Sequence, residues 1–360
     1  MTASLAYSDL REKGRPSGAA IPLATWGPPS GARLGVPRVT RRATPNLGSF
    51  FPANTLRPLE LAFAGCDGVI GWGMKPWARA ARLAARTLGL PYWTVEDGFF
   101  RSVGLGKAKA PSVSLVIDDL GIHFDARRES RLERIIVEHT YLPHLRRAAG
   151  LRALIVSERL SKYNAAPDRP LDLPRRRGAG RRILLADQVH GDSSIAGGCA
   201  DAGTFATMLE QAWALKARER ADIVIRPHPD VLAGLARGHF DLTACHGDVA
   251  IVTDHVSTHA VLDAVDEVWV VSSQIGFEAL LRGIPVTCFG VPFFAGWGLT
   301  TDRPTTAEAE AVLRRRSSTR CTIDDLVAGA LITYSRYIDP TTKDLIEPEV
   351  ALTELANKED

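Results

Sequence analysis

The stretch that decides the fold is WVVSSQIGFEALLRGIPVTCFGVPFFAGWGLTTDR, residues 269–303. Val268–Val271 is an apolar run that reads as a buried strand. It breaks at Ser272-Ser273-Gln274, and Gly276-Phe277-Glu278-Ala279-Leu280-Leu281 then carries helical apolar spacing. After Arg282-Gly283, Ile284–Phe289 reads as a second strand. Strand, polar turn, helix, strand is one βαβ unit. Its turn sets hydroxyls beside the unpaired amides of a helix start, where an anionic ligand is held well. Glu278, about one turn into the helix, can reach a neutral polar group of the same ligand, such as a ribose. A plain N-cap role for Ser272 accounts for the turn equally well taken alone.

Two further polar loops follow strands upstream. Ile183–Ala186 leads into Asp187-Gln188-Val189-His190-Gly191-Asp192-Ser193-Ser194, and Ile223–Ile225 into Arg226-Pro227-His228-Pro229-Asp230. Thr204–Ala217 and His259–Val265 have helical spacing, and Ala250–Val252 reads as another strand. Ligands of open α/β sheets gather at the carboxyl ends of strands, so the three loops define one candidate site. Asp192 and His228 are its catalytic candidates: an aspartate can activate a hydroxyl, and two prolines fix the backbone that aims the imidazole. Arg226, Ser272, Ser273, Gln274 and Glu278 are its donor-binding candidates, a set suited to a phosphate-bearing ligand. Neither GxxxxGK[ST] nor a GxGxxG after a first strand occurs, which argues against P-loop phosphoryl transfer and dinucleotide oxidoreduction.

Regular structure is expected from about Phe50. Leu61–Ile70, Tyr92–Val95 and Val113–Ile117 read as strands; Pro76–Leu88 and Arg131–Leu142 read as helices. The loop Glu96-Asp97-Gly98-Phe99-Phe100-Arg101-Ser102 mixes acids, aromatics and a base. It reads either as a sugar-holding loop, with Glu96, Asp97 and Arg101 on the acceptor side, or as an Asp-Gly turn backed by core phenylalanines. Residues 167–182 have linker composition. Alternating strands and helices on both sides of it predict an α/β fold of two Rossmann-like domains, 49–170 and 183–322, each on a mostly parallel sheet. A final helix, Ile323–Tyr334 within a segment 323–345, is expected to cross back to the first domain. Residues 1–48, with seven basic and two acidic side chains, read as a disordered basic leader, either without a role or loosely attracted to anionic lipid.

With 360 residues, 45% hydrophobic and 24% charged, the composition is that of a soluble globular protein. A net charge of +3 is too small to argue for nucleic acid as a partner. Cys66, Cys199, Cys245, Cys288 and Cys321 show no metal spacing; they suggest reduced thiols in a cytoplasmic protein with no metal and no cofactor. No stretch reads as a membrane span or a secretory signal.

Seven motifs in order, WGMK, EDGFFRSVGLG, SLVIDDLGIHFDA, ADQVHGDSSI, RPHPDV, VVSSQIGFEAL and FGVPFFAGWGLTTDR, resemble the capsule polysaccharide biosynthesis family, and within it the β-Kdo glycosyltransferase modules (Kdo is 3-deoxy-D-manno-oct-2-ulosonic acid). The likeness covers about residues 60–340. It implies two Rossmann-like domains facing a cleft, a GT-B-like arrangement, and inverting, metal-independent transfer from CMP-β-Kdo to a saccharide or lipid-linked acceptor. On that likeness Asp192 matches the general base and His228 the histidine near the CMP phosphate. Ser272, Ser273 and Gln274 take the helix start, Glu278 the ribose, and Glu96 and Asp97 the acceptor side. The length suits one module where the best-known members carry two, and Arg226 stands where the family pattern has lysine. Peripheral association with the inner membrane fits a lipid-linked acceptor. The alternative is a non-catalytic export or scaffold protein that keeps the fold.

Overall fold

The computed structural model describes residues 26–61, 65–104, 111–175, 178–242 and 249–357. The chain forms two compact units. One takes the residues up to Ile122, then Ser130–Ala165, then those from Asp324 onward; the other takes His123–Glu129 and Ala166–Ile323.

The first unit opens with β1 (Arg33–Val36), α1 (Arg38–Ala43), β2 (Thr55–Pro58), β3 (Gly68–Trp72), α2 (Pro76–Thr87), β4 (Tyr92–Asp97) and β5 (Ser114–Asp118). Strands β2-β1-β3-β4 pair in parallel, and β5 adds antiparallel to β4. Leu34, Val36, Val69 and Ile70 are fully buried, as expected of parallel strands covered on both faces. Helix α2 lies on Leu59 and Val69 through Ala81 and Ala85, side chains small enough for close approach. Phe50, Phe51 and Trp93 fill a separate core with Leu34, Ile70 and Leu115. The unit continues with α3 (Arg131–Val137), whose N-cap Ser130 accepts the Glu133 N–H at 3.1 Å, and α4 (Leu145–Ser157).

The expected domain start near residue 49 is corrected here. Strand β1 sits between β2 and β3, in the interior of the sheet, so residues 26–48 are part of the fold. Pro and Gly punctuate this stretch, but Leu34 and Val36 alternate into the core, and two buried side chains suffice for a four-residue strand. Residues 1–25 of the expected leader lie outside the described residues.

The second unit runs β6 (Arg182–Ala186), α5 (Ser193–Gly197), α6 (Ala202–Glu219), β7 (Asp222–Arg226), α7 (Pro229–Leu232), β8 (Ala250–Ile251), α8 (Thr258–Asp263), β9 (Glu267–Val270), α9 (Ile275–Leu281), β10 (Val286–Cys288), β11 (Thr301–Asp302) and α10 (Ala307–Arg316). Its six strands are all parallel in the order β11-β10-β9-β6-β7-β8. This is a doubly wound sheet whose strand order reverses between β6 and β9. Residues 123–129 strap onto this unit: the Ala126 N–H donates to the Gly197 carbonyl at 2.8 Å, and Arg315 donates to the Ala126 carbonyl at 2.8 Å. Gly197 permits that approach, since a Cβ there would stand 2.3 Å from the Phe124 carbonyl oxygen.

The chain then returns to the first unit. Helix α11 (Ile323–Val327) continues as a π-helical segment, Ala328–Thr333, followed by β12 (Ser335–Ile338), β13 (Leu345–Ile346) and α12 (Pro348–Ala356). Strand β12 pairs antiparallel with β5, and β13 with β12, completing a seven-stranded sheet. Arg152 meets Asp324 at 2.6 Å, and the Tyr334 hydroxyl donates to buried Asp118 at 2.8 Å. The returning segment therefore extends beyond the expected boundary at residue 345. Cys66, Cys199, Cys288 and Cys321 are free thiols, and Cys245 lies outside the described residues.

Candidate active site

In the second unit the loops after β6 and β9 diverge, one chain turning toward β7 and the other toward β10, which leaves a crevice at the strands' carboxyl ends. A small polar network occupies it. The Ser272 backbone N–H donates to Gln188 Oε1 at 3.0 Å, and Gln188 Nε2 donates to Ser272 Oγ at 3.0 Å. Ser194 Oγ joins at 3.1 Å from Ser272 Oγ. Gln188 is held in turn by the neighbouring Asp187, whose Oδ1 accepts the backbone N–H of Gln188 at 2.8 Å and of His239 at 2.9 Å. Burial raises the Asp187 pKa above the usual carboxylate range. Ser272 is thus not the N-cap of α9; Gln274 occupies that position, and the helix itself starts at Ile275. Ser273 and Gln274 stand half-buried on the same turn.

Asp192 is the N-cap of α5: it is exposed, and its Oδ1 accepts the Ser194 N–H at 2.9 Å. Capping fixes the carboxylate's direction while leaving its other oxygen for chemistry. His228 caps α7 in the same manner, its Nδ1 accepting the Asp230 N–H at 3.1 Å. An acceptor Nδ1 places the ring proton on Nε2, and with its side chain 40% exposed the ring can donate from Nε2 to an incoming anion. Of the two prolines in the Arg226–Asp230 loop, Pro229 is the first residue of α7.

Arg226 and Glu278 are brought together. Burial lowers the Arg226 pKa, and the charge of Glu278 opposes that shift. Glu278 is buried, on a helix whose seven residues are all buried. The arrangement makes Glu278 the counter-charge that keeps a cation at the end of β7, rather than a carboxylate presented to solvent.

In the first unit Glu96, Asp97 and Arg101 cluster beyond β4. The Trp72 indole N–H and the Asp97 backbone N–H both donate to Glu96 Oε1, at 2.9 and 3.1 Å. Arg101 Nε lies 2.7 Å from Asp97 Oδ2. Burial and, secondarily, the Asp97 charge push the Glu96 pKa up to about 7. Phe99 and Phe100 are fully buried, so of the two readings of this loop the core-phenylalanine one describes the rings. Gly98 lies against Ser114, where a Cβ would meet Ser114 Oγ at 2.2 Å, and its N–H donates to the Ser114 carbonyl at 3.0 Å; this close approach fixes the turn between Asp97 and Arg101. Trp72 belongs to a motif the sequence marked for close approach of a ligand, whereas Gln188 is a site residue to which sequence reasoning gave no role of its own.

Among the described residues no group of three or more His, Cys, Asp and Glu side chains is placed to hold a metal ion, and no helix is long and apolar enough to cross a membrane.

Two α/β units, one on a doubly wound parallel sheet with its polar loops at the switch point, place the chain in the GT-B-like class of α/β proteins. The profile described as capsule polysaccharide biosynthesis protein matches residues 67–167 and 169–337, and the chain belongs to that family. It is similar to the capsule polysaccharide modification protein LipA of Neisseria meningitidis serogroup B, with 40% identity over 279 residues, 77% of this chain and 39% of the relative. The lipopolysaccharide-processing protein LpsZ of Rhizobium meliloti is 38% identical over 289 residues, 79% of this chain and 63% of the relative. The chain thus spans about two fifths of the Neisseria relative's length. Among solved structures, Thermosulfurimonas dismutans KpsC, beta Kdo 2,4 transferase, superposes with a TM-score of 0.80 at 34% identity, over 91% of this chain and 99% of that one. The beta Kdo 2,7 transferase of the same KpsC gives 0.60 at 27% identity, with the same coverage.

Proposed function

We propose that the protein is a glycosyltransferase that moves Kdo from CMP-β-Kdo to a saccharide or lipid-linked acceptor in capsule or surface polysaccharide synthesis. The observation that carries this reading is the likeness to a β-Kdo transferase across nearly the whole of that module, together with the retained polar loops of the second unit. His228 Nε2–H and Arg226 supply donors and positive charge for the CMP phosphate, and the Gln188–Ser272 pair fixes the turn that receives it. Arg226 and the N–H groups of the loops can offset the leaving phosphate's charge without a metal ion.

The stereochemistry follows from the anomers. One displacement on CMP-β-Kdo, with Asp192 as general base, inverts the centre and gives an α-linkage. The solved relatives are named beta Kdo transferases, and a β-linkage from a β-nucleotide keeps the configuration. This supports two successive inversions in place of the single one implied by the sequence resemblance. Asp192 attacks the anomeric carbon as CMP departs. The acceptor oxygen then attacks the same carbon, the carboxylate of Asp192 leaves, and the acceptor proton passes to a base.

The deciding experiment incubates the protein with CMP-β-Kdo and a Kdo-terminated acceptor and reads the product's anomeric configuration by NMR. A β-product supports two displacements, and an α-product restores Asp192 as a simple base. Saturable CMP binding with no transfer to any acceptor would favour the non-catalytic alternative.

A further inference from the structure

Helix α2 packs inward through Ala78, Ala81 and Ala85 and leaves its other side in solvent. Arg79, Arg82 and Arg86 recur at steps of three and four residues, which in an α-helix forms a single stripe, and Lys75 is the N-cap just before it. No acidic residue occurs between Asp67 and Glu96, so nothing local in sequence neutralises it. Arg82 turns back toward the sheet, over the Tyr92 ring at 5.0 Å and onto Thr94 Oγ1 at 3.3 Å. Lys75, Arg79 and Arg86 are exposed and, among the described residues, form no ion pair. Beside the stripe Leu83 is 65% exposed, and Leu88 just past the helix is 39% exposed.

Leucines bordered by unpaired cations, with no carboxylate among them, suit the boundary of an anionic bilayer. The cations meet headgroup phosphates while the leucine side chains enter the acyl region. A nucleic acid would use the cations but leave Leu83 in water. We propose that α2 is the face by which the first unit lies on an anionic lipid surface. The contact is independent of the transferase reading, although it would bring a lipid-linked acceptor to the enzyme.

The test is flotation of the full chain with phosphatidylcholine vesicles, with and without phosphatidylglycerol, at low and high salt. Binding is expected only to the anionic vesicles, and to weaken as salt rises. Arg79→Gln with Arg86→Gln should lower partitioning about 30-fold, the expected loss for two surface cations. Leu83→Gln should also lower it. A control pair, Arg218→Gln with Arg314→Gln, removes the same formal charge from exposed positions of the second unit and should leave binding unchanged. Unchanged melting temperatures would show that each variant folds. Absence of binding by the wild type, or wild-type binding by the Arg79/Arg86 variant, would overturn the proposal; the second result would move the contact to another surface. Vesicle binding is read without substrate, so its outcome is separate from that of the transfer assay.

Discussion

Gln188 and Ser272, 84 residues apart, exchange a pair of hydrogen bonds across the point where the second sheet reverses its strand order. The pair ties the turn after β9 to the turn after β6, so the two halves of the switch-point crevice are set by one side-chain amide. Gln188→Ala leaves the Ser272 N–H and hydroxyl without that partner, at a cost of about 1–3 kcal/mol. The expected result is a lower melting temperature and CMP binding weakened by about tenfold, read by calorimetry.

Asp192→Asn separates capping from chemistry. Asparagine caps a helix as well as aspartate does, so the melting temperature should hold. Turnover should fall by about 10²–10⁴-fold, with CMP affinity little changed. Full activity in this variant would remove Asp192 from the mechanism in either stereochemical form.

Glu96 carries the pH dependence. Its folded-state pKa is raised to about 7, so the folded state binds the proton more tightly than the unfolded chain does. The stabilising contribution is present in full below the unfolded pKa and is lost as pH rises through 7. Glu96→Gln should therefore flatten the melting temperature against pH between acid and neutral conditions.

Gly197→Ala tests the strap. A methyl group 2.3 Å from the Phe124 carbonyl oxygen must displace the 123–129 segment or the end of α5. A loss of about 1–3 kcal/mol is expected by analogy with overpacked cores, measured by denaturant unfolding. No change in stability would mean that the segment adjusts freely.

Chelation tests the charge argument. Turnover measured with EDTA is expected to match turnover without it, since His228, Arg226 and the loop amides are assigned to the leaving phosphate. Complete loss, restored by a divalent ion, would contradict that assignment.

Much of the second unit was legible because its parallel strands are short runs of apolar residues that end abruptly in polar turns. Ile183–Ala186, Ile223–Ile225 and Val268–Val271 all lie within or one residue beyond strands of the structure. The elements missed share a physical reason: their burial comes from distant partners. Strand β1 is four residues inside a Pro- and Gly-rich stretch, and β13 has only two residues. The strap at 123–129 carries no local mark that it belongs to the second unit. The polar residues of the loops were visible by type and position. The Gln188–Ser272 pair was not, because nothing in either turn specifies a partner so far along the chain. Glu278 was visible as an acid on a helix, but its burial against Arg226 depends on the packing of all seven residues of α9.

Strand β5 ends at Asp118, and β12, the strand that covers its free edge, begins at Ser335. During synthesis roughly 200 residues, the whole of the second unit among them, must emerge before that edge is paired, a delay of about 10–40 s at ribosomal rates. For that interval the nascent first sheet presents an open row of backbone donors and acceptors next to fully buried apolar side chains, the kind of edge that recruits other strands. The yield of folded protein should then depend on how fast the residues between β5 and β12 are translated and on what shields β5 in the meantime.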